Sequence, residues 1–276
     1  IEKRGHYMSI SKVKTTIVKQ KIRNPILNVL AHVYAYLLFL IYVIPVALVV
    51  LFSFTDSATI ASKHLTLSSF TLDNYISIFQ KASSYKPFVV SIAYSAIAAS
   101  VVAVIVLIAC RILQKRKDRL SGALEYGLLI PWLLPTTLMA LGLITTYNTP
   151  RVWMFNKVLT GTSVIMLIGY IIIKIPFTLR MTKAAFFSLD DSLEDAARNM
   201  GAKPFYTFMR VQLPIILPTV LAIFALNFNG LLGDYDMSVF MYHPLNKPLG
   251  VYIKSLTDSE TNADNAALTF VYAVLM

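Results

Sequence analysis

The residues able to do chemistry in this chain are few and widely spaced. Its one cysteine, Cys110, can form neither an internal disulfide nor a thiolate metal cluster. Its four histidines, His6, His32, His64 and His243, fall in different segments. Asp234, Tyr235, Asp236, Tyr242 and His243 put hard oxygen and imidazole donors into one short polar stretch. Such a set suits ferric iron, although ordinary loop acids and interfacial aromatics read the same way. Lys174, Asn227 and Asn229 stand inside apolar runs. They are candidates for lining a solute path; snorkelling is the plain alternative for the lysine, and helix-to-helix hydrogen bonding for the asparagines. No catalytic constellation is present, no metal site can be assigned, and no Gly-x4-Gly-Lys-Ser/Thr phosphate loop occurs. The chain is therefore expected to bind no cofactor and to be no enzyme.

The elements that must position these residues follow from composition. Of 276 residues 57% are hydrophobic and 14% charged, with a mean hydropathy of +0.65. Globular chains average about 45–50% apolar and about 25% charged, so the surplus faces lipid. A membrane helix needs about 20 mostly apolar residues, and residues 30–54, 88–113, 123–147, 163–181 and 215–233 qualify. A sixth run starts near residue 266 and stops with the chain, and the first residue is Ile1 rather than Met. A fragment of a six-span, all-α bundle is expected. The basic start followed by an apolar run could be a secretory signal, but 25 apolar residues exceed the usual ~7–15 of such a signal. In the third span Pro131 and Pro135 predict a kink. In the outer loop Thr71 is a candidate N-cap, with Leu72, Tyr75, Ile76 and Phe79 on one helical face that would lie on the membrane surface. The polar stretch 234–265 reads as loop plus short helix.

A formal charge of +11 raises the question of nucleic acid. Sorted by alternating loops, seventeen of the 25 Lys and Arg residues fall on one side and seven on the other, with Lys174 inside the fourth span. Acidic residues divide equally. The excess is a topology signal: the seventeen-residue side, which includes the N-terminal segment 1–29, is cytoplasmic. No nucleic-acid partner is expected, and the lipid bilayer of the cell membrane is.

Between the fourth and fifth spans, residues 184–214 read as a helix, a sharp turn and a second helix. Asp190, Asp191 or Ser192 can cap the first helix, Gly201 suits the left-handed position that ends it, and Pro204 can begin the second. Leu213-Pro214 and Pro218 mark the return into the membrane. Taken alone, a helical hairpin of this kind is an ordinary solvated surface feature.

Its spacing is more specific. Asp195-Ala196-Ala197, three residues, Gly201, nine residues, Val211, one residue, Leu213-Pro214 resembles the EAA loop of binding-protein-dependent ABC importer permeases. Asp195 and Val211 stand where that pattern has Glu and usually Ile. Pro176-Phe177 with Arg180, and Thr71-Leu72-Asp73-Asn74-Tyr75, resemble other stretches of the same family, and the likeness runs from residue 30 onward. Arg4-Gly5-His6-Tyr7 with Ser9, Ser11 and Lys12 resembles the junction of fused iron-type permeases.

The resemblance implies a type I importer transmembrane domain over residues 30–276. Its elbow would dock on a cytoplasmic ATPase dimer, with Leu193, Glu194, Ala197, Arg198 and Gly201 as the contact, and Gly201→Asp should abolish solute-stimulated ATP hydrolysis. ATP and Mg would belong to that partner. A solute-binding protein outside and a second permease unit, either a copy, a paralogue or the other half of a fused chain, are implied as well. Cargo would move by alternating access. Ferric iron is the expected cargo, with polyamines, thiamine and phosphonates as the other classes. A secondary transporter would need intramembrane carboxylates, and only Glu125, near a span end, is available. A non-transporting assembly protein would not need the EAA spacing.

Overall fold

Only helices and closed barrels satisfy every backbone polar group in lipid, and helices are what this chain forms. The computed structural model describes residues 24–62, 64–116, 118–150, 152, 156–258 and 265–276. Most of the basic N-terminal segment, including the stretch Arg4-Gly5-His6-Tyr7, lies outside the described residues. The chain divides into two compact units, Ile1–Leu48 and Val49–Met276. Among the described residues four helices are long and apolar enough to cross a membrane, and a bent pair makes five when counted as one span.

The first unit contains most of α1 (Pro25–Ser53). At about 1.5 Å per residue its 29 residues reach about 44 Å, more than a bilayer core. The Asn24 side chain accepts the Ile26 N–H at 3.0 Å at its start.

The second unit is organised around α4 (Ala82–Lys115), α7 (Ser163–Phe187) and α10 (Leu213–Leu232). The buried stripe of α4 includes Ser91, Ser95, Ala98, Ala99, Val102, Val106, Ala109 and Cys110, spaced three to four apart. Small residues let helices approach closely where lipid offers no hydrophobic incentive to associate. Near one end Val102, Val106, Leu113, Leu179, Phe186 and Ile216 pack together; near the other, Tyr94, Ala98, Met166, Tyr170, Leu231 and Met237 do.

The third span departs from expectation. It is not a kinked helix but two helices, α5 (Arg119–Leu129) and α6 (Thr136–Tyr147), joined by a 3-10 turn (Ile130–Leu133) and bent by 107°. Leu134 is extended before Pro135, as a residue preceding proline prefers. With two backbone donors missing four residues apart, the ladder does not resume in line. The Arg180 guanidinium lies 4.4 Å above the Trp132 ring and fastens the break to α7.

The fifth span departs in the opposite sense: Pro214 and Pro218 do not delimit it. A helix runs from α9 (Pro204–Thr207) through a π turn (Phe208–Gln212) into α10. Leu213 N–H donates to the Phe208 carbonyl, five residues back, and the widened turn accommodates the proline that follows.

At the end of the bundle where α10 finishes, α2 (Ser57–Ser62), α3 (Asp73–Gln80), α11 (Ser238–Met241), α12 (Leu249–Asp258) and α13 (Ala266–Leu275) gather around Ile78, Leu249, Val271 and Tyr272. Thr71 accepts the Asp73 N–H, but the face expected on α3 splits. Leu72, Ile76 and Phe79 are exposed, while the Tyr75 hydroxyl turns inward to Ser53 at 2.8 Å. Gly250 in the first turn of α12 lies against the end of α10. A Cβ there would stand 2.5 Å from the Asp234 carbonyl oxygen and 2.6 Å from that of Gly233. Backbone cannot step aside as a flexible side chain can, so Gly250→Ala should destabilise by about 1–3 kcal/mol. Thermal unfolding of the detergent-solubilised protein should show a lowered midpoint; an unchanged midpoint would contradict the close packing.

Candidate functional site

At the end of the bundle where α7 finishes, the chain turns through α8 (Asp191–Asn199) into α9. Of the three candidate caps the structure uses Asp190, whose carboxylate accepts the Ser192 N–H at 2.9 Å. That bond holds the Asp190 carboxyl below its ordinary range. The other end of α8 closes with Gly201 N–H on Arg198 O at 2.9 Å and Ala202 N–H on Ala197 O at 3.0 Å. This paired closure requires a left-handed residue, and Gly201 has φ +82°. Pro204 opens α9. The expected helix, turn and helix are all present.

The candidate contact residues do not share one face. Glu194 turns inward and is the hub of a polar cluster. Its carboxylate takes Lys115 Nζ at 2.7 Å, Arg111 Nη1 at 3.1 Å, Gln212 Nε2 at 3.0 Å and Arg198 Nη2 at 3.4 Å. Arg111 also donates to Gln212 Oε1 at 2.7 Å and Gln114 Oε1 at 2.8 Å, and its guanidinium lies 5.8 Å from the Phe208 ring centre. Burial acts to raise the Glu194 carboxyl, but the hydrogen bonds and charges of Lys115 and Arg111 prevail and bring it down to about 2. Glu194 therefore fastens the elbow to the end of α4. Ala197 is buried as well, which leaves Leu193, Asp195, Ala196, Arg198 and Gly201 on the exposed side. Leu213 packs against the core and Pro214 is exposed.

Two groups of residues were missed. Arg111 and Lys115 lie 83 and 79 positions from Glu194, too far for any local pattern to reveal. Met200, Phe205 and Tyr206 are exposed around the Gly201 turn, and large apolar residues beside a Gly-Pro turn were a visible signal.

The polar residues of the spans form a ladder between α7 and α10. Tyr170, Lys174 and Thr178 are four residues apart on α7 and so lie on one face. Thr178 Oγ1 accepts the buried Asn227 amide at 2.7 Å, making Asn227 a helix-to-helix tie. The Tyr170 hydroxyl meets Ser238 Oγ at 2.6 Å, and Ser238 donates to Asp234 Oδ2 at 2.7 Å from its hydroxyl and 3.1 Å from its N–H. Burial raises the Asp234 carboxyl, and the bonds from Ser238 oppose that rise. Between these rungs Lys174 Nζ leans onto Gly230, where an added Cβ would stand 2.9 Å from it. The Lys174 amine thus sits against α10, within reach of the Asp234 charge. Asn229 is exposed.

Of the five donors expected to suit ferric iron, three are engaged otherwise. Asp234 is held by Ser238, Tyr242 packs against Met166 and its neighbours, and His243 Nδ1 accepts the Leu245 N–H at 3.1 Å. Tyr235 and Asp236 are exposed. Among the described residues no three His, Cys, Asp or Glu side chains gather as a metal-binding group.

Comparison with known proteins gives a consistent picture. The family described as "Binding-protein-dependent transport system inner membrane component" matches residues 21–276. Over its full length the chain is 37% identical to a probable ABC transporter permease protein of Sinorhizobium fredii, of which it covers 48%. It is 28% identical to a putative 2-aminoethylphosphonate transport system permease protein of Salmonella paratyphi A, over 53% of each chain. It is 32% identical to a probable sulfate transport system permease protein of Prototheca wickerhamii, over 46% of this chain and 51% of that one. The chain spans about half the length of these curated relatives. Among solved structures, a chain of a bacterial ABC transporter involved in the import of the acidic polysaccharide alginate superposes with a TM-score of 0.70. The identity is 17%, over 90% of each chain, so this likeness is one of fold. A crystal structure of a bacterial alginate ABC transporter, in complex with its pentasaccharide-bound periplasmic protein, gives 0.71 at 16% identity, over 90% of this chain and 88% of that one.

Proposed function

Because the chain belongs to the family of binding-protein-dependent transport system inner membrane components, we propose that it carries a small acidic solute inward by alternating access, driven by a partner ATPase. The elbow is the observation that supports this reading. It joins two spanning helices, ends α8 with the left-handed Gly201, and is tied through Glu194 to a third spanning helix, α4. A force applied to α8 is therefore delivered to α4, α7 and α10 together.

In this reading the elbow end is cytoplasmic and docks on an ATPase dimer, which supplies ATP and Mg chemistry. The opposite end receives cargo from an extracytoplasmic binding protein, and a second permease unit completes the path. An acidic cargo replaces ferric iron because Lys174 brings a positive charge into the bundle, and because phosphonate and sulfate figure in the names of the relatives.

The test is co-purification of the permease with its ATPase and binding protein, followed by vanadate-sensitive uptake into proteoliposomes. Uptake that requires all three components is expected. Full transport by the permease alone would refute the reading, and accumulation of ferric iron in place of phosphonate or sulfate would refute the choice of cargo.

A further inference from the structure

The ladder between α7 and α10 has one rung without a protein acceptor. Thr178 answers Asn227 below it, and Ser238 answers Tyr170 above it. Lys174, between them, faces Gly230, the one position of the ladder with no side chain to offer. Among the described residues no carboxylate lies within ion-pair distance of its amine, and the amine makes no hydrogen bond. Asp234, the nearest opposite charge acting on it, is already committed to Ser238.

Snorkelling does not account for this lysine. It lies eleven residues after Ser163 and six before the exposed Arg180, which is about 16 and 9 Å along the helix. A four-carbon stem does not span that distance. Hydration is what pays for such an ammonium only if water or a ligand reaches it; an unpaired charge in hydrocarbon is costly, and intramembrane charges of this kind mark substrate or ion paths. On α10, Thr219, Ala222, Ala225, Asn229 and Gly230 are small or polar and exposed.

Resting on the importer reading, we infer that the Lys174 ammonium, over the bare backbone of Gly230 and next to the exposed Asn229 strip, is the point in the membrane where an oxyanion of the cargo is recognised. The site would take sulfate, phosphonate or carboxylate oxygens. The glycine lets the amine sit against α10 with no side chain in its way, and the amine supplies up to three donors to the oxyanion. Asp234, farther along, attracts the amine when the site is empty.

The experiment uses the permease assembled with its ATPase in nanodiscs. Lys174→Cys can be labelled selectively with a charged, membrane-impermeant thiosulfonate, because the one native thiol, Cys110, is fully buried. Labelling is expected, and sodium sulfate or methylphosphonate should slow it no more than sodium chloride at matched ionic strength, since the cation that holds the oxyanion has been removed. Binding itself is read by anion-induced thermal stabilisation: wild type should be stabilised by sulfate or methylphosphonate, Lys174→Arg should retain the shift, and Lys174→Gln should need at least about tenfold more anion for it. Gly230→Ala, which keeps the charge and fills the space, should weaken the shift likewise. No labelling of Lys174→Cys, or the same anion dependence in wild type and Lys174→Gln, overturns the inference. ATP-driven uptake that survives Lys174→Gln unchanged would sink this site alone, whereas an assembly with no ATP-dependent uptake at all would sink the importer reading.

Discussion

A Glu194→Ala permease should still insert into the membrane and yet lose most solute-stimulated ATP hydrolysis in the assembled transporter. The substitution removes the one carboxylate shared by Arg111, Lys115 and Arg198 and leaves three cations together. Breaking a buried pair costs about 3–5 kcal/mol; with Lys115 part-exposed, about 2–3 kcal/mol is the reasonable figure. A loss of that size lowers the equilibrium constant for fastening the elbow to α4 by about 30- to 160-fold. Hydrogen exchange of the α8 amides should accelerate in step, and normal coupling with protected α8 amides would show that the cluster is not the fastening. Glu194→Gln keeps two acceptor lone pairs and should fall between the two.

The pH behaviour follows from the same carboxyl. Because its folded value is depressed to about 2, the stabilisation it gives is complete above its ordinary value near 4.5 and is lost only as pH falls from there through about 2. Wild-type coupling should therefore owe no pH dependence to this residue between about pH 6 and 8.

Gly201→Val should be the most damaging single change in the turn. Nothing stands within 4 Å of the position a Cβ would occupy, so crowding is not the reason. The reason is φ +82°, which costs an L-residue about 1–2 kcal/mol and a β-branched one most of all. Relief requires opening the paired closure at Arg198 and Ala197, which redirects α9 away from α8. Solute-stimulated ATP hydrolysis should drop about tenfold or more, with membrane abundance maintained. Gly201→Asn, which tolerates the left-handed region, should retain much of the activity. Equal loss in both variants would place the requirement in a surface contact rather than in the backbone.

What could be read from the sequence was local. The cap at Asp190, the stop at Gly201 and the start at Pro204 each depend on a neighbouring backbone group, so residue type and spacing suffice to place them. The apolar runs located the first, second and fourth spans to within about six residues at either end, but the fifth begins eleven residues earlier than its apolar run, at Pro204. The size of the break at Pro131 and Pro135 was not legible, because missing donors predict a bend without fixing its angle; the Arg180 to Trp132 contact that accompanies it crosses 48 positions. The place of the Lys174 amine was not legible either, because the space it fills is made by Gly230 on another helix. The donors from Asp234 to His243 failed in the reverse way. They are neighbours in the chain, but short helices and turns give Asp234, Tyr242 and His243 different partners and leave Tyr235 and Asp236 exposed.

The π turn at Phe208–Gln212 sets the phase of the elbow. Each residue of an α-helix advances its faces by about 100°, so the extra residue in this turn rotates everything before it relative to everything after. The face that α9 shows to the outside is thus indexed to the face that α10 shows to its neighbours by chain length alone. Pro204, Phe208 and Gln212 have partners of their own to keep, but the length of the stretch constrains it as a whole: gaining or losing one residue would turn the elbow about a quarter of the way round its axis. In this protein the count of residues is itself a mechanical part.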